Sequence, residues 1–171
     1  GGMLAAVLGK QLIEAYGSDA LRFTIAALTG PGRDVKLGRK RVEDFRSFVT
    51  KIWNAARFVL MNVEGRELAQ GPAHLASLRL PDRWILSRLH ATAAAVDAYY
   101  EDFQFAKASE ALFHFAWDEF CDWYVEYAKD VLYGTDEARR AEVLRTMHHV
   151  FSKALRLQHL PPLLWSMPPP L

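Results

Sequence analysis

The sequence contains one cysteine and no long apolar run, and each shortage excludes a class of protein. Cys121 has no partner for an internal disulfide, which is typical of a reducing compartment, so we expect a cytoplasmic protein. A charged residue interrupts every stretch that approaches the ~18 apolar residues of a membrane helix. The first residues also lack the positively charged start of a secretory signal. We therefore expect no membrane association.

Motifs that mark catalysis are scarce as well. The glycines are too scattered for a phosphate-binding loop, and no serine lies in a nucleophile-elbow sequence. Glu110, His114, Asp118 and Asp122 share one helical face, but the Glu-x-x-His repeat that binds iron or manganese in helical bundles does not occur. A solvated acidic face explains this row better than a metal centre does. We expect no catalytic residue, no metal site and no cofactor in this chain.

What the sequence does contain is helical periodicity throughout, without an alternating strand pattern. Glycine and proline interrupt this periodicity and so separate the helices. Thr135 or Asp136 is expected to cap the last helix. Five helices with short connections predict an all-α fold, an antiparallel helical bundle. The expected helices span about residues 10–28, 40–62, from Pro81 onward, 105–133 and 136–157.

The net charge of +1 hides two segments of opposite sign. Between Arg33 and Arg66, nine Lys and Arg residues accompany four Asp and Glu residues. Between Asp97 and Glu137, eleven acidic residues accompany two lysines. Such an asymmetry predicts two faces with different partners, of which only the first suits a polyanion.

The segment from Lys40 to Asn62 carries the clearest pattern. At about 100° per residue, most of its apolar side chains share one broad face that we expect in the core. Phe58 falls on the opposite side, beside Lys51 and Asn54. Single-stranded RNA binding uses such a group, because rings stack on bases, cations meet phosphates and amides recognise base edges. An exposed phenylalanine also arises by chance or at a contact with another domain. The expected core face comprises Val42, Phe45, Phe48, Val49, Ile52, Trp53, Ala56, Val59 and Leu60.

A stripe of aromatic side chains follows helical spacing between residues 105 and 133. Aromatic residues in such number form part of a core far more often than a ligand site. Val125 lies off this stripe, towards the polar side, and would be accessible for contact. The stripe comprises Phe113, Ala116, Trp117, Phe120, Trp123, Tyr124, Tyr127 and Val131.

Several motifs, in this order along the chain, resemble the valyl-tRNA synthetase family. Residues 14–23 (EAYGSDALRF) and 31–34 (PGRD) are similar to the junction that follows that family's catalytic domain. Residues 51–60 (KIWNAARFVL) resemble the start of its helical anticodon-binding domain. Residues 82–89 (DRWILSRL) and 117–124 (WDEFCDWY) match further motifs of the same domain.

The resemblance covers roughly residues 12–157 and implies a domain that holds the anticodon stem and loop of a valine tRNA. ATP and Mg would be used by the catalytic domain of the intact enzyme, whose His-Ile-Gly-His and Lys-Met-Ser-Lys-Ser type signatures are absent here, as are the editing domain and the coiled coil. We expect a junction segment at 1–30, the bundle at 31–160 and a proline-rich tail at 161–171 that departs from the family pattern. The chain would be a monomer and inactive alone.

The resemblance also implies roles for particular residues. Phe58 would stack on an anticodon base, Lys40 and Arg57 would meet phosphates or base edges, and Val125 would line the same pocket. The predicted tRNA contacts are Lys40, Arg46, Lys51, Asn54, Arg57, Phe58 and Val125, with Arg33 and Lys36 as further phosphate contacts.

Other interpretations stay open. Isoleucyl- and leucyl-tRNA synthetases share this bundle, which would then recognise a different anticodon. Alternatively, the basic and acidic faces belong to a helical docking domain that binds proteins and never touches RNA. Preference among tRNAs that differ only in the anticodon distinguishes these cases. A carboxylate metalloprotein would hold iron or manganese after purification, which we do not expect.

Overall fold

The computed structural model describes residues 2–29, 37–66 and 78–158, with the side chains of residues 7–29, 37–66 and 78–157. These residues form helices and no strand, which confirms the all-α bundle. Three successive helical segments, α5, a π-helical segment and α6, continue into one another as a single rod. The elements are α1 (Gly2–Tyr16), α2 (Ser18–Leu28), α3 (Arg39–Val63), α4 (Leu80–Glu101), α5 (Phe105–His114), the π segment (Phe115–Tyr124), α6 (Val125–Leu132) and α7 (Glu137–Gln158).

The first expected helix is in fact two helices. The break falls at Gly17, whose φ of 90° is a backbone conformation that glycine adopts without steric cost. The described part of the bundle therefore has six helical rods where five were expected. The expected bounds of α3 differ from the observed ones by one residue at each end. No helix in the described residues combines the length and apolar character needed to cross a bilayer.

Caps and turns define the remaining helix ends. The side chain of Asp136 accepts a hydrogen bond from the backbone N–H of Arg139 at 3.0 Å, so Asp136 caps α7 as expected. Pro81 lies in the first turn of α4, where its missing N–H is tolerated. Gly65, with φ of 73°, follows the end of α3.

The main core lies where α3, α4, the π segment, α6 and α7 meet. Aromatic side chains fill much of it, and Phe120 stacks on Phe151 of α7 at 5.4 Å between ring centroids. In the same core, Phe48 of α3 packs against Phe23 of α2 and Phe113 of α5. Burial of such large apolar surfaces supplies most of the folding free energy of a bundle. The helices that carry the basic and the acidic segments are therefore in direct contact.

The π segment changes which residues of this rod are buried. Spacing of five residues, from Phe115 to Phe120, replaces the α-helical spacing of three and four there. Each later apolar position shifts by one residue, so Trp123 is 72% exposed and Val125 is 6% exposed. The aromatic stripe expected from uniform α-helical geometry was therefore wrong at Trp123, whereas Tyr124 is buried and Tyr127 and Val131 pack against the core.

A buried polar network joins the N-terminal ends of α4 and α7. Asp82 accepts hydrogen bonds from the hydroxyl of Tyr124, at 2.7 Å, and from the guanidinium of Arg139. Arg139 also donates to the hydroxyl of Tyr127 at 2.8 Å and to Glu142 at 3.0 Å. Burial raises the pKa of the Tyr124 hydroxyl, and the charge of Asp82 adds to the effect. Desolvation opposes the charge of Arg139, but the hydrogen bonds from Arg139 to Tyr127, Asp82 and Glu142 leave its pKa raised.

Candidate nucleic-acid interface

Several exposed cations lie along α3. Lys40, Arg41 and Arg57 are exposed, and none of them forms an ion pair with any described residue. Arg46 is exposed too and reaches the carbonyl of Ala15 at 3.5 Å, a long contact that leaves its charge available. Long cationic side chains held in solvent on one helix can meet a phosphate backbone without first breaking internal ion pairs.

Lys51 differs from its neighbours because it is already engaged. Its Nζ lies 2.5 Å from an oxygen of Asp122 and 3.9 Å from the centroid of the Trp117 ring. These contacts join α3 to the π segment. The carboxylate neutralises the ammonium locally, so Lys51 cannot act as a free phosphate ligand unless Asp122 moves or loses its charge.

Lys51 also lies close to the single cysteine. Burial raises the pKa of the Cys121 thiol to about 11, although the charge of Lys51 opposes the rise. The thiol is thus protonated at neutral pH and contributes a small apolar group to the core.

Phe58 is not the displayed ring that its sequence position predicts. Its side chain is half-buried and packs against the main core, and its carbonyl accepts a hydrogen bond from the amide of Asn62 at 2.8 Å. The buried residues of α3 include Ala55, which the expected core face left out. The face of α3 that packs into the core is therefore rotated towards Phe58 relative to the expected face. Only part of the Phe58 ring stays accessible.

The ring that α3 does display is Trp53. It is 45% exposed and stacks on no other ring in the described residues. Arg57 lies one turn later and Arg46 two turns earlier, on nearly the same line of the helix. Leu60, which was also expected in the core, is exposed on this side. The positions of the charged residues could have predicted this exposure, because a tryptophan that lies between two arginines at helical spacing is a candidate for the surface.

The remaining predicted contacts divide into accessible and inaccessible residues. Asn54 is exposed, and its side-chain amide forms no hydrogen bond with a described residue. Val125 belongs to the main core, so the accessible apolar group expected there is absent. The physical reason is the register shift in the π segment. Arg33 and Lys36 lie outside the described residues.

Comparison with known proteins gives this geometry its context. Residues 82–160 match the sequence model of the family described as the anticodon-binding domain of tRNA ligase. The chain is 53% identical over 149 residues to the valine–tRNA ligase of Streptomyces coelicolor, which covers 86% of this chain and 16% of that protein. It is 42% identical over 159 residues to the enzyme of Aquifex aeolicus, covering 86% of this chain and 14% of that protein.

A third relative, the valine–tRNA ligase of Geobacter sulfurreducens, is 46% identical over 148 residues. That match covers 86% of this chain and 17% of that protein. The chain thus spans between 14% and 17% of the length of these three relatives. Since the aligned part extends well beyond residues 82–160, the similarity includes α3 and its basic face. The chain belongs to the family of anticodon-binding domains of tRNA ligases, in the form that valine–tRNA ligases carry.

Proposed function

We propose that this chain binds the anticodon stem and loop of a valine tRNA as the recognition part of a valine–tRNA ligase. The observation that carries the proposal is the outer face of α3, where exposed Trp53 lies between Arg46 and Arg57. Single-stranded nucleic acid is bound by just such a pairing of a stacking ring with cations that follow the backbone. Family membership makes an anticodon loop the expected single strand.

The residues of this face can take distinct roles. Lys40 and Arg57 meet phosphates, because both are exposed and unpaired among the described residues. Asn54 offers an amide that can donate to and accept from one base edge. Trp53 supplies the larger stacking surface, and Phe58 contributes through the part of its ring that the core leaves accessible.

The same proposal assigns the chemistry of aminoacylation to other parts of the enzyme. A valine–tRNA ligase would use ATP and Mg in its catalytic domain, and none of the predicted contacts on α3 is suited to activating an amino acid. The editing and coiled-coil domains would be further partners in the same polypeptide. We place the chain in the cytosol as a monomer that binds no cofactor of its own.

The test is binding of this chain, at low salt, to a valine tRNA and to the same tRNA with its central anticodon base changed. We expect tighter binding of the unaltered tRNA, and we expect Arg57→Ala to weaken binding of both. Lys107→Ala is the matched control, because Lys107 is an exposed lysine on α5 that lies over the Tyr99 ring, 5.8 Å from its centroid.

Equal affinity for the two tRNAs would refute anticodon recognition by this chain. Equal affinity combined with an Arg57→Ala effect no larger than that of Lys107→Ala would exclude the α3 face as the RNA surface. A protein-docking domain would then be the better interpretation.

A further inference from the structure

The turn between α4 and α5 displays a phenylalanine in an unfavourable backbone conformation. Phe103 has a φ of 56°, and it is the one residue other than glycine with a positive φ in the described residues. Residues with a side chain rarely adopt this left-handed conformation, because Cβ comes too close to the following carbonyl oxygen. Phe103 is nevertheless 78% exposed, so burial within the described bundle does not explain the strain.

Hydrogen bonds at the end of α4 show why this position has a positive φ. The backbone N–H of Gln104 donates to the carbonyl of Tyr99 at 2.7 Å, and that of Phe103 donates to the carbonyl of Tyr100 at 3.1 Å. This pair of bonds is the Schellman motif that ends many helices, and its left-handed position is usually a glycine. Glycine would form the same turn without steric cost, so the turn itself does not require a phenylalanine.

Three aromatic rings lie together at this turn. The ring centroid of Phe105 is 5.8 Å from that of Tyr100 and 6.3 Å from that of Phe103. Tyr100 and Phe105 are only partly buried. We call Tyr100, Phe103 and Phe105 the aromatic turn. Adjacent rings that remain accessible to solvent are typical of a surface that another apolar segment covers.

The charges beside the aromatic turn argue against RNA as the group that covers it. Glu101 and Asp102 are exposed, and neither forms an ion pair with any described residue. Both carboxylates would repel the phosphates of a nucleic acid. A segment that is apolar and carries no charge meets no such repulsion.

The end of α7 lies close to the aromatic turn. Leu157 and Tyr100 pack against the same three buried residues, Val96, Ala108 and Leu112. The proline-rich tail, residues 161–171, lies outside the described residues and begins four residues after Leu157. Four residues span at most about 14 Å, so the start of the tail is within reach of the aromatic turn.

We propose that the aromatic turn binds the proline-rich tail of the same chain. The tail has five prolines and no charged residue, and its apolar side chains include Leu163, Leu164 and Trp165. Proline-rich segments bind surfaces lined with aromatic rings, because their restricted backbone loses little conformational entropy on binding. Contact with the tail would offset the strain at Phe103. This inference involves no RNA contact and does not depend on the proposed function.

The experiment measures thermal unfolding of the full chain with Phe103→Gly in two backgrounds, the parent chain and the tail variant Leu163→Ser/Trp165→Ser. In the parent chain the substitution removes the contact with the tail, so the unfolding midpoint should fall by about 2–4 °C. In the tail variant that contact is already lost. Relief of the left-handed strain should then raise the midpoint, again by about 2–4 °C.

Tyr133→Ala is the matched control. Tyr133 is 76% exposed and lies just after α6, at the other end of the rod that begins with α5. Its substitution should shift the midpoint equally in the two backgrounds. Helical content by circular dichroism should match the parent chain for Phe103→Gly and Tyr133→Ala, since both side chains are exposed.

The outcomes decide whether the tail covers the aromatic turn. An equal shift on Phe103→Gly in both backgrounds would overturn the proposal, because the ring would then be independent of the tail. A parent midpoint that rises with protein concentration would assign the tail of a second copy to the turn, and would overturn contact within one chain. Anticodon preference is measured separately, so its absence would refute the proposed function without affecting this result.

Discussion

The guanidinium of Arg139 pairs with the carboxylate of Asp82 where solvent reaches neither group, with side-chain exposures of 4% and 0%. The pair ties the start of α7 to the start of α4, and the Tyr124 hydroxyl adds a second donor to the same carboxylate. Removal of one member leaves an uncompensated buried charge. Arg139→Met should therefore lower the free energy of unfolding by about 3–5 kcal/mol.

The double variant Asp82→Leu/Arg139→Met is the matched control, because it removes both charges together. The double variant should lower the free energy of unfolding, measured with urea, by much less than Arg139→Met does. The coupling free energy between the two substitutions should be at least ~1 kcal/mol. If the effects of Asp82→Leu and Arg139→Met on the free energy of unfolding simply added up in the double variant, the two residues would not be energetically coupled.

Trp53 and Phe58 should respond oppositely to truncation. Trp53→Ala should weaken tRNA binding by about 1–3 kcal/mol, the usual value of one stacked base, with little change in stability. Phe58→Ala should lower the free energy of unfolding, because the half-buried ring packs on the core. Urea unfolding and tRNA titration of both variants make the comparison. A larger binding loss for Phe58→Ala, with its fold intact, would return the stacking role to Phe58.

Asp122 restrains Lys51, and its removal should release a cation. Asp122→Asn should increase tRNA affinity about twofold or more at low salt, since it both frees the ammonium and removes a negative charge near the interface. The pair is partly exposed, so the change in stability should stay within ~1 kcal/mol. Lys51→Ala/Asp122→Asn should bind tRNA less tightly than Asp122→Asn alone. If Asp122→Asn weakens binding, Lys51 depends on Asp122 for its position.

The Cys121 thiol should be chemically inert in the folded chain. With a pKa of about 11 it carries almost no thiolate at about pH 8. Its reaction with a disulfide reagent should be slow in buffer and fast in urea, at a rate that follows global unfolding. Rapid labelling of the native chain would show that the core around Cys121 opens locally.

His149 should make stability depend on pH below neutrality. Burial and the cations around it lower its folded pKa below the unfolded value of 6.5. The unfolded chain therefore binds more protons, so stability is complete above that value and declines as the pH falls below it. Urea unfolding at several pH values should show this decline, and His149→Gln should reduce it. A decline of equal size in His149→Gln would assign it to other groups.

Local sequence patterns predicted much of the fold, but they did not predict which face of α3 is exposed to solvent. The bounds of α3 and the cap at Asp136 depend on propensity and capping within a few residues, which a sequence displays directly. The choice between Trp53 and Phe58 depends on where the neighbouring helices pack. Small Ala55 turned out to be buried, and no rule of hydrophobicity ranks it above Trp53 or Leu60.

The hydrophobic periodicity of the sequence could not predict the π segment either. A π-helix differs from an α-helix by a change of hydrogen-bond partner that leaves no compositional mark. Val125 was assigned to the surface only because α-helical rotation was carried through Phe115–Tyr124 without interruption. The positions of the predicted contacts on α3 do not depend on this error, since α3 is a regular helix.

The π segment also shows where the chain could lose a residue at small structural cost. It holds one residue more than an α-helix would need to connect the same two faces of the rod. Deletion of a single residue between Phe115 and Tyr124 would therefore restore α-helical winding and leave α6 in its present orientation relative to α5. The same deletion within α5 or α6 would turn the later residues of the rod by about 100° and would move Val125 or Ala128 out of the core.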